Sequence, residues 1–284
     1  MPLNEPHSRT KTEVLVTPCY LAGPGTGEAI ARTLDTAAGW KRVTFGADTY
    51  YTSPCQRVRI ANTVESRYGG WTIAYAEDPL GVSDWITTFD RNAPQEIVAA
   101  FTDTLVDGLP NHFADNLSGG KHHTGQSPAE VFANRQWEPL QAAGPFCTVS
   151  PDGYATFRIR SGWLHEYDEL LDPRNSTWRM SAGPDSLTAP SWQAYFSGYT
   201  PEHLITASAT ALIDPQPVIR AADHIPDRHR SLVEVRPVLQ GDVTPRAEAA
   251  RARSPRTEAV PTVQLPAPAA APLTPPTAGS RRQR

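Results

Sequence analysis

Residues able to do chemistry are few in this chain, and they are scattered. His122 and His123 stand side by side after Ser118-Gly119-Gly120-Lys121, and two imidazoles could hold a transition metal. Adjacent residues seldom point at one ion, however, and no Cys or carboxylate stands at ligand spacing, so a solvated loop is expected there and no metal site is assigned. The same glycines lack the Gly-x4-Gly-Lys-Ser/Thr spacing and the preceding strand that a phosphate loop needs. His224 and His229 are five positions apart, which one helix face does not collect, and both are expected on the surface. Cys19, Cys55 and Cys147 share no short spacing, and no Gly-x-Ser-x-Gly turn presents a nucleophilic serine. Glu166, Asp168 and Glu169 form an acidic cluster that could do acid-base work only if burial separated their pKa values; a solvated loop is the plainer expectation. No catalytic, cofactor-binding or metal-binding residue is therefore expected.

Arginines offer a second kind of chemistry. Arg57, Arg59 and Arg67 precede Trp71, while Arg158, Arg160 and Arg179 surround Trp178. A basic face with exposed rings is how sequence-tolerant single-strand binders work. Strand alternation also places arginine on the solvent side by default, and it places Trp40, Trp71, Trp85, Trp137, Trp178 and Trp192 in the core. Arg57, Arg59, Arg158 and Arg160 remain the candidates for touching a partner.

The elements that must hold these residues occur twice. A shift of 107 positions carries Trp71 onto Trp178, Asp78 onto Asp185, Leu80 onto Leu187 and Trp85 onto Trp192. It also carries Phe89 onto Phe196, Pro94 onto Pro201 and Leu105 onto Leu212, while Ile73, Ile97 and Val98 meet Met180, Leu204 and Ile205. One unbroken register that includes two pairs of tryptophan indicates duplication.

Each copy reads as helix, about five strands, helix. Ile30, Leu34 and Ala38 fall on one helical face that Gly39 closes. Alternating segments follow at Val43-Phe45, Tyr50-Thr52, Val58-Ile60, Trp71-Tyr75 and Trp85-Phe89, and Pro94 opens a helix with an apolar stripe of Ile97, Phe101 and Leu105. In the second copy Ser127-Pro128-Ala129-Glu130 starts a capped helix that should run to about Ala142-Ala143-Gly144. Strands are expected at Cys147-Ser150, Ala155-Arg160, around Glu166-Leu170, at Trp178-Ser181 and at Trp192-Phe196. Thr200 should then cap the closing helix that Pro201 opens. The offset between Ser53-Pro54 and Ser150-Pro151 is only 97, so the second copy holds about ten extra residues, placed in 162–175.

The fold class expected is α+β: two tandem antiparallel sheets of about five strands with helices packed on one face, set together as a pseudo-twofold pair. The boundaries read as a disordered start at 1–12, a first copy at 13–107, a linker at 108–126 and a second copy at 127–214. An extension at 215–242 should pack on the second copy. Residues 243–284 hold seven Arg, no Lys, two Glu and eight Pro, and read as a disordered tail with extended polyproline character. That tail carries a formal charge of +5, which leaves 1–242 at −9 within a chain of net −4. Three unpaired-looking cysteines among 284 residues fit a reducing cytoplasm, the first twelve residues have no apolar core to suggest a signal peptide, and no run is apolar enough to span a membrane.

Several of these residues carry a family resemblance. Ser150-Pro151-Asp152-Gly153-Tyr154, its degenerate partner Ser53-Pro54-Cys55-Gln56-Arg57, the spacing of Trp71 to Trp85 and of Trp178 to Trp192, and the helix opened by Pro-x-Glu resemble the SPDY domain family of streptomycetes and related actinobacteria. The resemblance covers roughly 14–213 and implies a tandem domain of unknown function, with Phe89, Pro94, Phe196 and Pro201 also in the repeat signature. It implies no activity. The first copy departs from the motif at Cys55-Gln56, and Pro145 stands after Gly144 where the family's lead-in has Trp.

The expected function is a cytoplasmic binding or regulatory module without catalysis, because the packing residues are duplicated and no polar site is; its partner would be a protein. A nucleic-acid partner for the basic tail and sheet aromatics is the second reading, opposed by the acidic remainder. An enzyme with a site between the copies is the third. No cofactor is expected.

Overall fold

The computed structural model describes residues 12–64, 69–110, 116–117, 125–141, 146–162 and 164–238. Segments 1–12 and 243–284, expected to be disordered, lie outside them apart from Thr12, as do Arg67, His122, His123 and Ala142-Ala143-Gly144.

The sheet is where the structure corrects the expectation. Instead of two separate sheets set together, one continuous antiparallel sheet of ten strands is formed. Strands β2 (Lys41–Phe45), β3 (Asp48–Thr52), β4 (Val58–Thr63), β5 (Gly70–Tyr75) and β6 (Trp85–Asp90) run side by side through one half. The other half holds β7 (Glu138–Pro139), β8 (Cys147–Val149), β9 (Ala155–Ile159), β10 (Trp178–Ala182) and β11 (Trp192–Phe196). The halves join by pairing β6 with β11. Left apart, each would present a row of unpaired backbone donors and acceptors at an inner edge, which the junction satisfies. Thr88 pairs with Tyr195, its own equivalent 107 positions on, while Thr87 faces Phe196 and Phe89 faces Ala194. Equivalent residues meeting in this way place a local pseudo-twofold axis between Thr88 and Tyr195.

Helices cover one face. α1 (Glu28–Thr36), α2 (Gln95–Gly108), α5 (Glu202–Leu212) and α3 (Pro128–Ala133) lie in that order, with α2 against α5 across the axis. Beneath them Ile60, Ile73, Trp85, Phe89, Phe157, Met180, Trp192 and Phe196 are buried in one core. The rings of Phe89, Phe101 and Phe196 meet at 5.5–6.1 Å, which locks the two halves together at the centre.

Four local expectations need correction. The segment around Glu166–Leu170 is a helix, α4 (Glu166–Leu171), not a strand; its residues are good helix formers, and His165 Nδ1 accepts from Tyr167 N at 3.3 Å to start it. Helix α3 has the expected capping box of Ser127 and Glu130 but stops at Ala133, because Gln136 turns left-handed (φ 61°) and leads into β7. Pro94 and Pro201 sit one residue ahead of their helices, and the Thr200 hydroxyl meets those of Thr87 and Ser197 at 3.3 Å instead of capping α5. His229, expected on the surface, is buried: its ring meets the Leu21 carbonyl and the Ser191 hydroxyl.

The chain ends of the described body meet in a second, three-stranded sheet. β1 (Glu13–Thr17) lies between β12 (Val218–Ala221) and β13 (Glu234–Pro237). Arg220 of β12 is 3 % exposed and fully engaged, donating to both carboxylate oxygens of Glu96 on α2 and to the carbonyl of Gly23. The extension therefore grips the first copy as well.

Candidate functional site

The repeat-signature residues are placed as architecture. Ser150 opens the β8–β9 turn: its hydroxyl accepts from Ala155 N at 2.9 Å and donates to Asp152 Oδ1, which also accepts from Tyr154 N at 3.0 Å. Gly153 supplies the left-handed residue (φ 81°). The first copy repeats the turn, with Ser53 Oγ accepting from Val58 N at 3.0 Å and Gln56 forced to φ 62° where the second has glycine. Tyr20 donates to Asp152 Oδ2 at 2.5 Å, so the motif's acid ties the N-terminal segment to the second copy; burial, then this carboxylate, push the Tyr20 phenol well above its usual range. Trp85 and Trp192 occupy equivalent places, each 1 % exposed and each donating its indole N–H to a carbonyl at 2.8 Å, of Leu117 and Tyr20 respectively. Trp71 is buried and Trp178 half-buried on the same helix-covered side. Pro151 and Tyr154 complete the turn.

The uncovered face of the sheet is where the copies differ. Because partners in successive strand pairs share a side, one row can be followed across the whole sheet: Val43, Tyr50, Ala61, Thr72, Thr88, Tyr195, Arg179, Arg158 and Cys147. The axis between Thr88 and Tyr195 maps this row onto itself. Thr72 corresponds to Arg179 at the offset of 107 and Ala61 to Arg158 at 97. The first half of the row is thus neutral, while the second sets two arginines directly opposite one another on β9 and β10. Like charges in directly opposed positions destabilise a sheet, so folding alone gives no reason to place them there.

Arg179 is half-buried. Its guanidinium lies 5.7 Å from the centre of the Tyr195 ring, and its Nε is buried with no hydrogen-bond partner among the described residues. Burial holds the guanidinium below its ordinary pKa; the Tyr195 phenol opposes that shift, and Arg158 adds to it. Arg220 shows how this chain treats a structural buried arginine, with a carboxylate and a carbonyl on its donors. Among the described residues Arg179 Nε has neither.

Two walls flank the arginine pair. On one side Thr156 and Ser181 are roofed by the β10–β11 loop, the Ser181 hydroxyl donating to the Ser186 carbonyl at 2.8 Å and meeting Thr156 Oγ1 at 2.7 Å. On the other stands the insertion unique to the second copy. Glu169 of α4, 4 % exposed, accepts from Thr177 N, Thr177 Oγ1 and Gly198 N, which pins the insertion to the ends of β10 and β11. The acidic cluster is therefore an anchor in part: Glu169 is buried and Asp168 exposed. Arg174 and Asp172, in ion pair at 2.7 Å, reach the neighbourhood of Tyr195 from this insertion.

Of the four arginines expected to meet a partner, only Arg158 lies in this row. Arg160 is on the same face, two residues on, and donates to the Asn175 carbonyl at 2.9 Å; Arg59 serves the Pro79 carbonyl in the first half, and Arg57 leads into β4 from the turn. Arg179 was visible beside Trp178 without being chosen, and Tyr195 was missed. The signal for both was in the repeat register: Thr72 changing to Arg179 and Thr88 to Tyr195 at positions that must share a face.

Among the described residues no group of three or more His, Cys, Asp or Glu is arranged to hold a metal ion, and no helix is long and apolar enough to cross a membrane. Ser191 Oγ lies 2.6 Å from His229 Nε2, and His229 Nδ1 donates to the Leu21 carbonyl at 2.8 Å. With the histidine 2 % and the serine 5 % exposed, this pair is a buried tie between the extension and the core.

No curated protein and no solved structure matches the chain. The model of the SPDY family, a domain of unknown function (DUF317), matches residues 52–110 and 149–218. Each match starts at a signature turn and takes in the helix of its own half that packs beside the axis. The chain thus carries two SPDY domains in tandem, over those two segments.

Proposed function

We propose that this protein is a ligand-binding module without catalytic chemistry, and that it captures an anionic group on the uncovered face of the sheet's second half. The two copies, 13–107 and 127–214, act in this reading as one duplicated scaffold of which only the second sets two arginines opposite one another in the central row. The observation that carries it is the opposed pair Arg158 and Arg179 standing where the first copy has Ala61 and Thr72. An anion seated between them removes their repulsion and supplies the acceptor that Arg179 Nε lacks among the described residues. The partner contact is thereby moved from the sheet tryptophans, which lie on the helix-covered side, to a polar row beside Tyr195.

Thermal unfolding of the full chain in sulfate, against chloride at equal ionic strength, tests this. At tenfold the dissociation constant a ligand specific to the folded state stabilises by about 1.4 kcal/mol. That increment should vanish when Arg158→Gln and Arg179→Gln are combined. An undiminished sulfate effect in the double variant, or none in the wild type, would overturn the reading.

A further inference from the structure

Independently of the anion site, we infer that a second copy of this chain docks edge to edge on β2, across a twofold axis at Val43. β2 ends the ten-stranded sheet, so among the described residues the outer side of its backbone has no strand partner. The opposite end of the sheet is β7, two residues long and closed by Pro139, which has no amide hydrogen to give a further strand. β2 has five residues and no proline. Its side chains on the uncovered face are apolar and open: Val43 is 62 % exposed and Phe45 81 %, and Tyr50 of β3, paired with Val43, is 41 % exposed. Arg42 points to the helix side, where Asp35 holds it at 3.0 Å, so Lys41 is the one charge that β2 itself sets beside them. An open edge flanked by apolar side chains is built to take another strand.

The strand that this edge fits is its own. Opposed residues in an antiparallel pair share a side, so a twofold register has to be centred on a residue. Centred on Arg42, it opposes that arginine to its own copy, like charge against like. Centred on Thr44, it needs Gly46, turned left-handed at φ 61°, as the partner of Arg42. Centred on Val43, it pairs all five residues of the strand. The row through the axis is then Ala61, Tyr50 and Val43 of one copy followed by Val43, Tyr50 and Ala61 of the other, without a charge. Lys41 falls opposite Phe45 of the second copy, and beyond that ring stands Asp48, the residue paired with Phe45. The lysine stem covers the ring while its ammonium meets the ring face and the carboxylate, and the same contact recurs on the other side of the axis. The fold already makes this joint once, since β6 and β11 pair with equivalent residues opposed. Docking in this register keeps the uncovered faces of both copies on one side of a continuous sheet. Contact through one strand and the side chains beside it falls below about 1,200 Å², the range of transient interfaces, so the dimer forms at micromolar concentration and above.

The test is sedimentation velocity of the full chain from micromolar to millimolar concentration, with a reductant present to keep the exposed Cys55 from cross-linking. The wild type should pass from monomer to dimer over this range. Val43→Lys opposes two ammonium groups at the axis and Val43→Glu two carboxylates, and each change should weaken association about tenfold or more. An equimolar mixture of the two variants opposes Lys to Glu and should associate about tenfold more tightly than either alone. Because Val43 is exposed, both variants should keep the wild-type urea transition, which separates loss of docking from loss of fold. A wild type that stays monomeric throughout overturns the inference. So does a Val43→Lys protein that dimerises like the wild type, or a mixture no tighter than its components. None of these results bears on the anion site.

Discussion

Replacing Arg179 with Met should make the ligand-free protein more stable. Directly opposed strand positions hold their Cβ atoms about 5 Å apart, and two like charges kept about 6 Å apart repel by about 0.7 kcal/mol in bulk water and nearly 3 kcal/mol at an effective dielectric of about 20. Methionine keeps most of the apolar stem and removes both that repulsion and a buried Nε that has no partner among the described residues. Against this, the contact of Arg179 with the Tyr195 ring is lost, a loss of about 0.5–1 kcal/mol. The balance is a gain of about 1 kcal/mol, or about 2–4 °C in Tm for a body of this size. Differential scanning calorimetry in chloride buffer measures it, and the same scan in sulfate should show the variant losing the wild-type increment. A variant less stable by 1 kcal/mol or more, with its sulfate response intact, would show that Arg179 is there to hold the sheet. Stability exchanged for function is common at binding sites, and the sign of this one change separates the two roles.

Three further outcomes follow from the turns and buried groups. Gln56→Gly should stabilise by up to about 1 kcal/mol, because φ 62° costs a side chain what Gly153 avoids at φ 81°; Gly153→Ala should destabilise by a similar amount in urea titrations. Burial lowers the His229 pKa below its ordinary value, so the unfolded chain takes up the proton first. The stability His229 contributes is complete above about pH 6.5 and falls as the pH drops, and His229→Gln should flatten that part of the unfolding profile. Only Cys55 is exposed, whereas Cys19 and Cys147 are buried with thiols pushed above their ordinary pKa. Iodoacetamide should label Cys55 in the native protein and the other two only in denaturant, as peptide mass mapping will show.

Much of the scaffold was legible because the copies check each other. Trp85 and Trp192 had to share a role, and alternation around them fixed which side of each strand was core. What the residues could not say was how the copies met. Pairing β6 with β11 is a long-range choice that local patterning does not encode, and the same strands would have read identically in two sheets. The Glu166–Leu171 helix was misread because it lies in the insertion, where no equivalent in the first copy constrains it. His229 was misread for a similar reason: its partners, Leu21 and Ser191, are far away in sequence.

The site was half legible. Arg158 stood out by type, yet the importance of Arg179 needs the register that places it opposite Arg158 and beside Tyr195. Charge that diverges between equivalent positions is the mark to look for in a duplicated sheet. The rings that both copies share describe the scaffold.

The arginine Nε–Hε region of a proton–nitrogen correlation spectrum, recorded as sulfate is added, puts the account to its most direct trial. The cross-peak that disappears in Arg179→Met should be the one that shifts furthest and saturates at one ligand per chain. If that peak stays still while other arginine peaks move, the anion binds elsewhere on the chain and the row across β9 and β10 is not its site.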